Sequence, residues 1–107
     1  PGLETTLPLL GLAIHEGRLT VERVIELVAE NPRRIWGLPC PPETYTEVDF
    51  DAAYTIERAH LRTQCGWSPF EGMTVYGRVR SVVIRGQCAY KDDQVQVQPG
   101  FGQNLYG

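Results

Sequence analysis

The feature that most constrains this chain is a change in hydrophobic periodicity at a proline-rich connector. Residues 39–43 read Pro-Cys-Pro-Pro-Glu, a run that cannot continue a helix. Before it, apolar residues recur at helical spacing, and after it they alternate with polar residues as in a strand. The pattern therefore predicts a helical segment over residues 1–38, the connector, a β-strand segment over residues 44–97 and an irregular tail over residues 98–107.

The helical segment is expected to contain three helices. The first covers residues 5–16 and ends at Gly17, and Pro8 is tolerated because it lies in the first turn. Thr20 caps the second helix, Asn31 and Pro32 stop it and start a third, and Gly37 ends the third. The second helix carries one apolar stripe, made of Val21, Val24, Ile25 and Val28.

The first helix is unusual because it is apolar almost all round. Residues 7–14 read Leu-Pro-Leu-Leu-Gly-Leu-Ala-Ile, whereas a helix on the outside of a small domain normally has a polar face. We therefore expect this helix to need protein on more than one side.

The second half of the chain predicts a β meander. Residues 44–50 alternate as in a half-buried strand, residues 51–66 have no clear period and are expected to be loop, and residues 73–85 form a second strand. Gly77 in that strand indicates a bulge or a close backbone approach. Tight turns at residues 85–86 and 91–94 then lead into short strands at 87–90 and 95–97.

Size and charge exclude several classes of protein. A chain of 107 residues forms one domain at most, and 10 Lys and Arg against 13 Asp and Glu give a net charge of −3, without the excess of cations that binds nucleic acid. The longest apolar run is far shorter than the ~20 residues that cross a bilayer. Cys40, Cys65 and Cys88 are widely spaced, as in a reduced cytoplasmic protein rather than a disulfide scaffold or zinc ribbon.

The histidines and acidic residues do not form a recognisable metal site. His15 and His60 are far apart in the sequence, and a solitary histidine at a helix end such as His15 is usually a surface or capping residue. Glu47, Asp49 and Asp51 share one strand face, where their spacing is too wide to enclose a single ion. We expect that face to be solvated.

The remaining motifs also favour structural roles. Ser68 has no nucleophile elbow or neighbouring base, and Arg33 and Arg34 complement the dipole at the end of a helix. Three glycine-containing segments lack the strand before and the helix after that a phosphate loop needs, namely Gly17-Arg18, Phe70-Glu71-Gly72 and Gly100-Phe101-Gly102. Taken from its own residues alone, the chain shows no active site.

Several segments nevertheless resemble one family, in order along the chain. PGLET (1–5), EGRLT (16–20) and NPRRIWGLP (31–39) are similar to the last barrel helices of cyclic amidohydrolases. The second half resembles the dihydroorotase domain of the multifunctional eukaryotic polypeptide that joins carbamoyl-phosphate synthetase, dihydroorotase and aspartate transcarbamoylase. The matching segments there are TYTEVD (44–49), YTI (54–56), WSPFEGM (67–73), GRV (77–79), VIRG (83–86), AY (89–90) and PGFGQ (99–103).

This resemblance implies an α/β fold that is incomplete alone. The chain would supply the last helices of a (β/α)₈ TIM barrel and strands of a small β subdomain. The implied activity is the zinc-dependent, reversible cyclisation of N-carbamoyl-L-aspartate to dihydroorotate. The family's metal ligands and catalytic residues match positions upstream of this chain, so the resemblance assigns no catalytic residue and no metal ligand here. Pro1 and Gly2 match the end of a loop at the lip of the pocket, which makes them near-site residues.

The implied partners are the upstream part of the same domain, the neighbouring synthetase and transcarbamoylase domains and a second copy in a homodimer. The implied location is the cytoplasm, and we expect the chain to bind neither nucleic acid nor a membrane. Residues 57–66 and Asp93 depart from the pattern of active animal enzymes. Fungal versions of the polypeptide keep the domain without its catalysis, so a silent scaffolding domain is the alternative interpretation. A free-standing α+β adaptor is a third.

Overall fold

The structure, a computed structural model, describes residues 1–104. The last three positions of the predicted tail lie outside the described residues. The helical elements are α1 (Thr6–His15), α2 (Val21–Ile25), a π-helical segment (Glu26–Glu30), α3 (Asn31–Trp36) and a 3₁₀ turn (Arg58–His60). The strands are β1 (Tyr45–Thr55), β2 (Thr74–Ile84), β3 (Gln87–Lys91) and β4 (Gln94–Val95).

Helix α1 forms where the sequence predicts it and ends as predicted at Gly17. Gly17 adopts φ +77°, a left-handed conformation that glycine enters without steric cost. Its N–H donates to the carbonyl of Ile14 (3.0 Å), and the N–H of Arg18 donates to the carbonyl of Ala13 (2.9 Å). These two bonds form a Schellman motif, which satisfies carbonyls that the helix end would otherwise leave open.

The second helix begins as predicted, because the Thr20 hydroxyl accepts a hydrogen bond from the backbone N–H of Arg23 (3.2 Å). The predicted stop at Asn31 is wrong. Asn31 is helical at φ −66° and ψ −46°, and its N–H donates to the carbonyl of Glu26. Pro32 has no N–H and crowds the carbonyl four residues earlier, so the chain widens into the π-helical segment instead of breaking. The helix ends at Gly37 (φ +61°), as expected.

The strands form one sheet in the order β1-β2-β3-β4, which confirms the predicted meander. Strand β1 is longer than predicted, since residues 51–55 continue it and do not belong to the loop. At its end the N–H of Ile56 donates to the carbonyl of Met73, just before β2 (2.9 Å). Hydrogen bonds between the two segments therefore continue beyond residues 51–55, although the hydrophobic alternation of those residues is weak.

Both predicted hairpin turns are present. Arg85 (φ +51°) and Gly86 (φ +77°) connect β2 to β3, and Asp92 (φ +48°) and Asp93 (φ +69°) connect β3 to β4. Two successive positive φ angles are typical of the type I′ turn that matches strand twist. The pairing of β2 with β3 shifts between Val82 and Val83, which pair with Tyr90 and Cys88, so that Ala89 is the extra residue of a bulge in β3.

Two glycines allow α1 and β1 to lie directly against the backbone of β2. A Cβ atom on Gly11 would overlap the carbonyl oxygen of Tyr76. A Cβ on Gly77 would lie 3.2 Å from the Phe50 ring and 3.3 Å from the carbonyl of Leu7, which confirms the predicted close approach. The helix and strand therefore meet at van der Waals distance where side chains are smallest.

The chain divides into two compact units, Pro1–Val24 with Asp49–Arg78 and Ile25–Val48 with Val79–Gly107. The buried apolar side chains of the described residues are few: Pro8, Ala13, Val24, Ile56 and Val75 in the first unit and Ala89 in the second. The large apolar residues of α1 are only half-buried, namely Leu7, Leu9, Leu10, Leu12 and Ile14. This matches the expectation that α1 needs more protein around it than the chain provides.

Candidate functional site

Pro1 and Gly2, which the family resemblance leads us to expect near the site, are exposed. The carbonyl of Gly2 accepts hydrogen bonds from the N–H of Thr5 (3.4 Å), the Thr5 hydroxyl (3.3 Å) and the Thr6 hydroxyl (3.2 Å). Thr5 is buried to 2% exposure although it is polar. These bonds tie the segment before α1 to the first turn of the helix.

Glu4 connects this segment to a distant part of the same unit. Its Oε2 accepts hydrogen bonds from the backbone N–H of Arg62 (2.8 Å) and of Thr63 (2.6 Å), and its Oε1 also lies 3.0 Å from the N–H of Arg62. Hydrogen bonds to a charged acceptor are shorter and stronger than those between neutral groups. We call Gly2, Glu4, Arg62, Thr63 and Cys65 the Glu4 cluster.

Cys65 is the chemically distinctive member of the Glu4 cluster. Its sulfur lies 3.4 Å from the Thr63 hydroxyl, and it is exposed. The hydrogen bond from Thr63 is the largest cause that lowers the pKa of Cys65 from 9.0 to about 7, followed by the backbone of Trp67 and, to a smaller extent, the amino group of Pro1. Because the thiolate is the nucleophilic form, the lowered pKa makes this thiol more reactive at neutral pH than an ordinary cysteine.

The two histidines lie apart and in structural contacts. The His15 ring stacks on Tyr76 with centroids 3.8 Å apart and planes 14° from parallel. His60 Nδ1 lies 3.5 Å from a carboxylate oxygen of Glu57 on the surface. Within residues 1–104 the structure brings no three His, Cys, Asp or Glu side chains together in a way that could hold a metal ion.

The other sequence candidates also have structural partners. The Glu47 carboxylate accepts a hydrogen bond from the Ser81 hydroxyl (3.2 Å), and Asp49 accepts one from the N–H of Asp51 (2.9 Å). Ser68, 5% exposed, caps its own turn by accepting from the N–H of Phe70 (3.1 Å). These bonds give Glu47, Asp49 and Ser68 structural partners.

The basic residues and one of the glycine-containing motifs also make structural contacts. Arg34 donates to the Asn31 side chain (3.5 Å) in the last helix, where its charge complements the helix dipole. In the second unit Arg85 donates to the carbonyl of Phe101 (2.8 Å), and its guanidinium lies 4.6 Å from the centre of the Phe101 ring. The Gly100-Phe101-Gly102 motif therefore lets a short tail segment be held by a hairpin turn.

Two features of the Glu4 cluster were missed by sequence reasoning. In the sequence, Glu4 is part of a family motif and residues 57–66 depart from the family pattern, but neither observation indicates a contact between them. Their contact joins positions 58 and 59 residues apart, which no local pattern reveals. The Thr-x-Cys spacing at 63–65 is the one local signal that could have indicated an activated thiol.

Comparison with known proteins settles the family. No family model matches the sequence. Over 105 residues, the chain is 50% identical to the multifunctional protein pyr1-3 of Dictyostelium discoideum, a match that covers 98% of this chain and 5% of that protein. The inactive dihydroorotase-like domain of a CAD-like multifunctional protein from Chaetomium thermophilum superposes with a TM-score of 0.78 at 34% identity, covering 92% of this chain and 28% of that one. The chain belongs to the dihydroorotase-like amidohydrolases.

The fold agrees with this membership. L-Hydantoinase (dihydropyrimidinase) from Arthrobacter aurescens superposes with a TM-score of 0.86 at 29% identity, over 95% of this chain and 25% of that one. The chain thus spans about a quarter of the amidohydrolase domains it matches and one-twentieth of the multifunctional relative. The prediction of an α/β piece of an amidohydrolase barrel with subdomain strands is confirmed.

Proposed function

We propose that the chain is the C-terminal part of a dihydroorotase domain in pyrimidine synthesis. Joined to the upstream part, it would take part in the reversible cyclisation of N-carbamoyl-L-aspartate to dihydroorotate, in which an amide bond forms and water is released. The observation that carries this proposal is the 50% identity with a multifunctional protein over 98% of the chain, together with the likeness to a dihydroorotase-like domain.

Within that domain, residues 1–38 would be the last barrel helices, residues 39–43 the connector, residues 44–97 the β subdomain segment and residues 98–107 the tail. The half-buried apolar residues of α1 support this division, because a barrel helix buries its apolar sides against neighbouring strands and helices. In this arrangement Pro1 and Gly2 would lie at the lip of the pocket. The upstream part of the domain is the partner that would cover α1.

Zinc is the metal that the family implies. The described residues do not fit it, since no three potential ligands converge among them. Any zinc of the complete domain would therefore be held by upstream residues, and no catalytic step is assigned to the side chains described here. The contribution of this chain would be to shape and order the surroundings of the site.

The alternative function is that of an inactive dihydroorotase-like domain with a structural, scaffolding or dimerising role. The observation that favours it is the likeness to the inactive Chaetomium domain at 34% identity. Residues 57–66, which depart from the pattern of active enzymes, are the other reason to keep it. Activity is our leading proposal because it is what the family resemblance implies.

The proposed setting is a cytoplasmic multifunctional polypeptide. The Dictyostelium relative is named as multifunctional, which supports neighbouring synthetase and transcarbamoylase domains as partners, and a homodimer is part of the same proposal. No described helix is long and apolar enough to cross a membrane.

The deciding experiment measures dihydroorotate hydrolysis and zinc content in the polypeptide that contains this chain together with its upstream part. Turnover with bound metal is the result expected of a dihydroorotase. A folded domain that holds no metal and gives no turnover would instead establish the scaffolding alternative. A variant with the upstream metal ligands replaced controls for contaminating activity.

A further inference from the structure

The hairpin turn between β2 and β3 contacts two other segments of the second unit. The backbone N–H of Arg85 donates to the Thr44 hydroxyl (3.0 Å), and the N–H of Gly86 donates to the carbonyl of Glu43 (2.9 Å). The Arg85 side chain reaches the tail, where it donates to the carbonyl of Phe101 (2.8 Å). The turn therefore holds the end of the connector through its backbone and the tail through one side chain.

Arg85 contacts Phe101 in two ways. Besides the hydrogen bond to the carbonyl, the centre of its guanidinium group lies 4.6 Å from the centre of the Phe101 ring. A cation is attracted to the face of an aromatic ring, and the planar guanidinium group can stack on the ring while it donates hydrogen bonds. Of residues 98–101, Phe101 alone is half-buried and the others are exposed. Phe101 is thus the residue through which this part of the tail is attached.

The tail between its two attachments contains a turn. The N–H of Gln96 donates to a carbonyl of β3 (2.8 Å), which attaches the start of the tail to the sheet. The N–H of Phe101 donates to the carbonyl of Gln98 (3.2 Å), Gly100 has φ +89°, and a proline precedes that glycine, as in a type II turn. We call residues 96–101 the strap.

The strap is separated from the sheet by an open groove along its length. The groove has a volume of about 430 Å³ and is lined by Gln87 of β3 together with all six residues of the strap. A segment that is exposed and makes few buried contacts opens at a lower free energy than the strands beside it. The groove therefore leaves the attachment at Phe101 as the contact that closes this end of the strap on the hairpin turn.

We propose that the strap opens and closes on the sheet as a local unit, and that Arg85 is the residue that holds it closed. In the closed form the Arg85 guanidinium group holds the carbonyl and the ring of Phe101. In the open form the strap moves away from the hairpin turn beyond Gln96 and the Phe101 ring becomes exposed. The sheet and the contacts of the turn with the connector stay in place, because they use backbone groups. This inference goes beyond the proposed function and does not depend on enzymatic activity.

The test compares Arg85→Ala, Arg85→Lys and the control Arg18→Ala in the polypeptide that contains the chain together with its upstream part. Arg18 is an exposed arginine of the first unit, so the control removes the same charge away from the strap. Amide hydrogen exchange at residue 101 should become roughly tenfold faster in Arg85→Ala, which loses both contacts with Phe101. Arg85→Lys should be intermediate, because an ammonium group keeps the charge without the planar geometry. Arg18→Ala should leave the exchange unchanged.

Two readouts separate local opening from unfolding of the sheet. In Arg85→Ala the amides of Arg85, Gly86 and Gln96 should exchange as in the unaltered protein, since their acceptors are not changed. Cleavage by chymotrypsin after Phe101 should become roughly tenfold faster, because the protease needs this segment exposed and mobile.

A double-mutant cycle tests whether Arg85 acts through the ring. Phe101→Leu keeps an apolar side chain and the backbone carbonyl but removes the aromatic face, so exchange at residue 101 should become roughly threefold faster relative to the intrinsic rate of the sequence. Combined with Arg85→Ala, it should add almost nothing to the effect of Arg85→Ala alone.

Every outcome supports or overturns the proposal. Unchanged exchange and cleavage at residue 101 in Arg85→Ala overturn it, as do effects of the two substitutions that simply add. Equal acceleration at residue 101 and at the amides of Arg85 and Gly86 also overturns it, because the sheet would then open together with the strap. If Arg85→Ala does not fold, Arg85→Lys and Phe101→Leu decide by the same exchange measurements. The result is independent of whether the polypeptide hydrolyses dihydroorotate.

Discussion

At the scale of single residues, short hydrogen bonds set properties that composition does not show. Cys65 is one of three cysteines in the sequence, yet the structure gives it a hydroxyl neighbour and an exposed sulfur. Asp93 stands in a turn where the family resemblance leads us to expect glycine, and its side chain accepts a hydrogen bond from the Tyr90 hydroxyl (3.1 Å). Single substitutions can test both the lowered pKa of Cys65 and the conformation of the turn at Asp93.

The first prediction concerns Thr63. Replacing it with valine removes the hydroxyl that stabilises the thiolate, so the pKa of Cys65 should move upward from about 7 toward 9.0. At pH 7 the thiolate fraction should then fall roughly fivefold or more. The measurement is the pH dependence of iodoacetamide alkylation in a background with Cys40 and Cys88 changed to serine.

Thr63→Ser is the matched control, since it keeps the hydroxyl and should keep the midpoint of alkylation near pH 7. An unchanged midpoint in Thr63→Val would show that another group lowers the pKa.

The second prediction concerns the β3–β4 turn. Asp93 stands at φ +69°, where glycine has no Cβ to crowd the backbone. Asp93→Gly should therefore raise the free energy of unfolding by about 0.5 kcal/mol, a net value after losing the exposed bond from Tyr90. Urea titration of the complete domain measures this change. Asp92→Gly, at the first turn position where Asp is well tolerated, should gain less, and an equal or larger gain would contradict this explanation.

At the scale of helices and strands, the accuracy of sequence reasoning follows the range of the interactions. The sequence predicts helix caps and turns correctly, because each depends on neighbours within a few residues. The examples are the cap at Thr20, the helix ends at Gly17 and Gly37, and the two hairpin turns. The predicted end of the second helix at Asn31 is wrong, because a helix can widen into a π-helical turn before a proline, here Pro32. The sequence does not predict residues 51–55 as part of β1, because alanine has a low strand propensity. The strand continues there because it pairs with β2.

The close approach of α1 to β2 gives the third prediction. Gly11→Ala puts a methyl group into the carbonyl of Tyr76, so the helix must move outward or the strand must bend. We expect a loss of about 3 kcal/mol in the free energy of unfolding, the upper part of the range for overpacking.

Gly17→Ala is the comparison for this change. Gly17 has φ +77° but open space around it, so alanine there should cost only about 1–2 kcal/mol of backbone strain. Chemical denaturation of both variants in the complete domain measures the difference. Equal losses would show that packing at Tyr76 is not the reason for glycine at position 11.

At the scale of the whole molecule, the sequence predicted that the chain is part of a larger body. Leu7, Leu9 and Leu10 stay half-buried, while Ile35 and Trp36 are 65% and 75% exposed. Family segments in order along the chain led to the fold class, and the comparisons confirm it. The Glu4 contact could not be predicted, because it depends on how segments far apart in the sequence meet.

The fourth prediction follows from this incomplete burial. Expressed alone, the 107-residue chain should bind the dye ANS and unfold over a broad temperature range, because its few buried side chains give little cooperative stability. Adding the upstream part of the domain should suppress the dye fluorescence. A monomer with a sharp thermal transition and no dye binding would favour the free-standing adaptor instead.

The contact between Gly11 and Tyr76 also has a consequence during protein synthesis. The two residues are 65 positions apart, and ribosomes add about 5–20 residues per second, so roughly 3–13 s separate their emergence from the ribosome. For that interval α1 exists without the strand that it packs against. Because the proposed upstream part of the domain is made earlier, the face of α1 around Gly11 is the part that waits for β2, and molecular chaperones that recognise newly made apolar segments have time to reach that face.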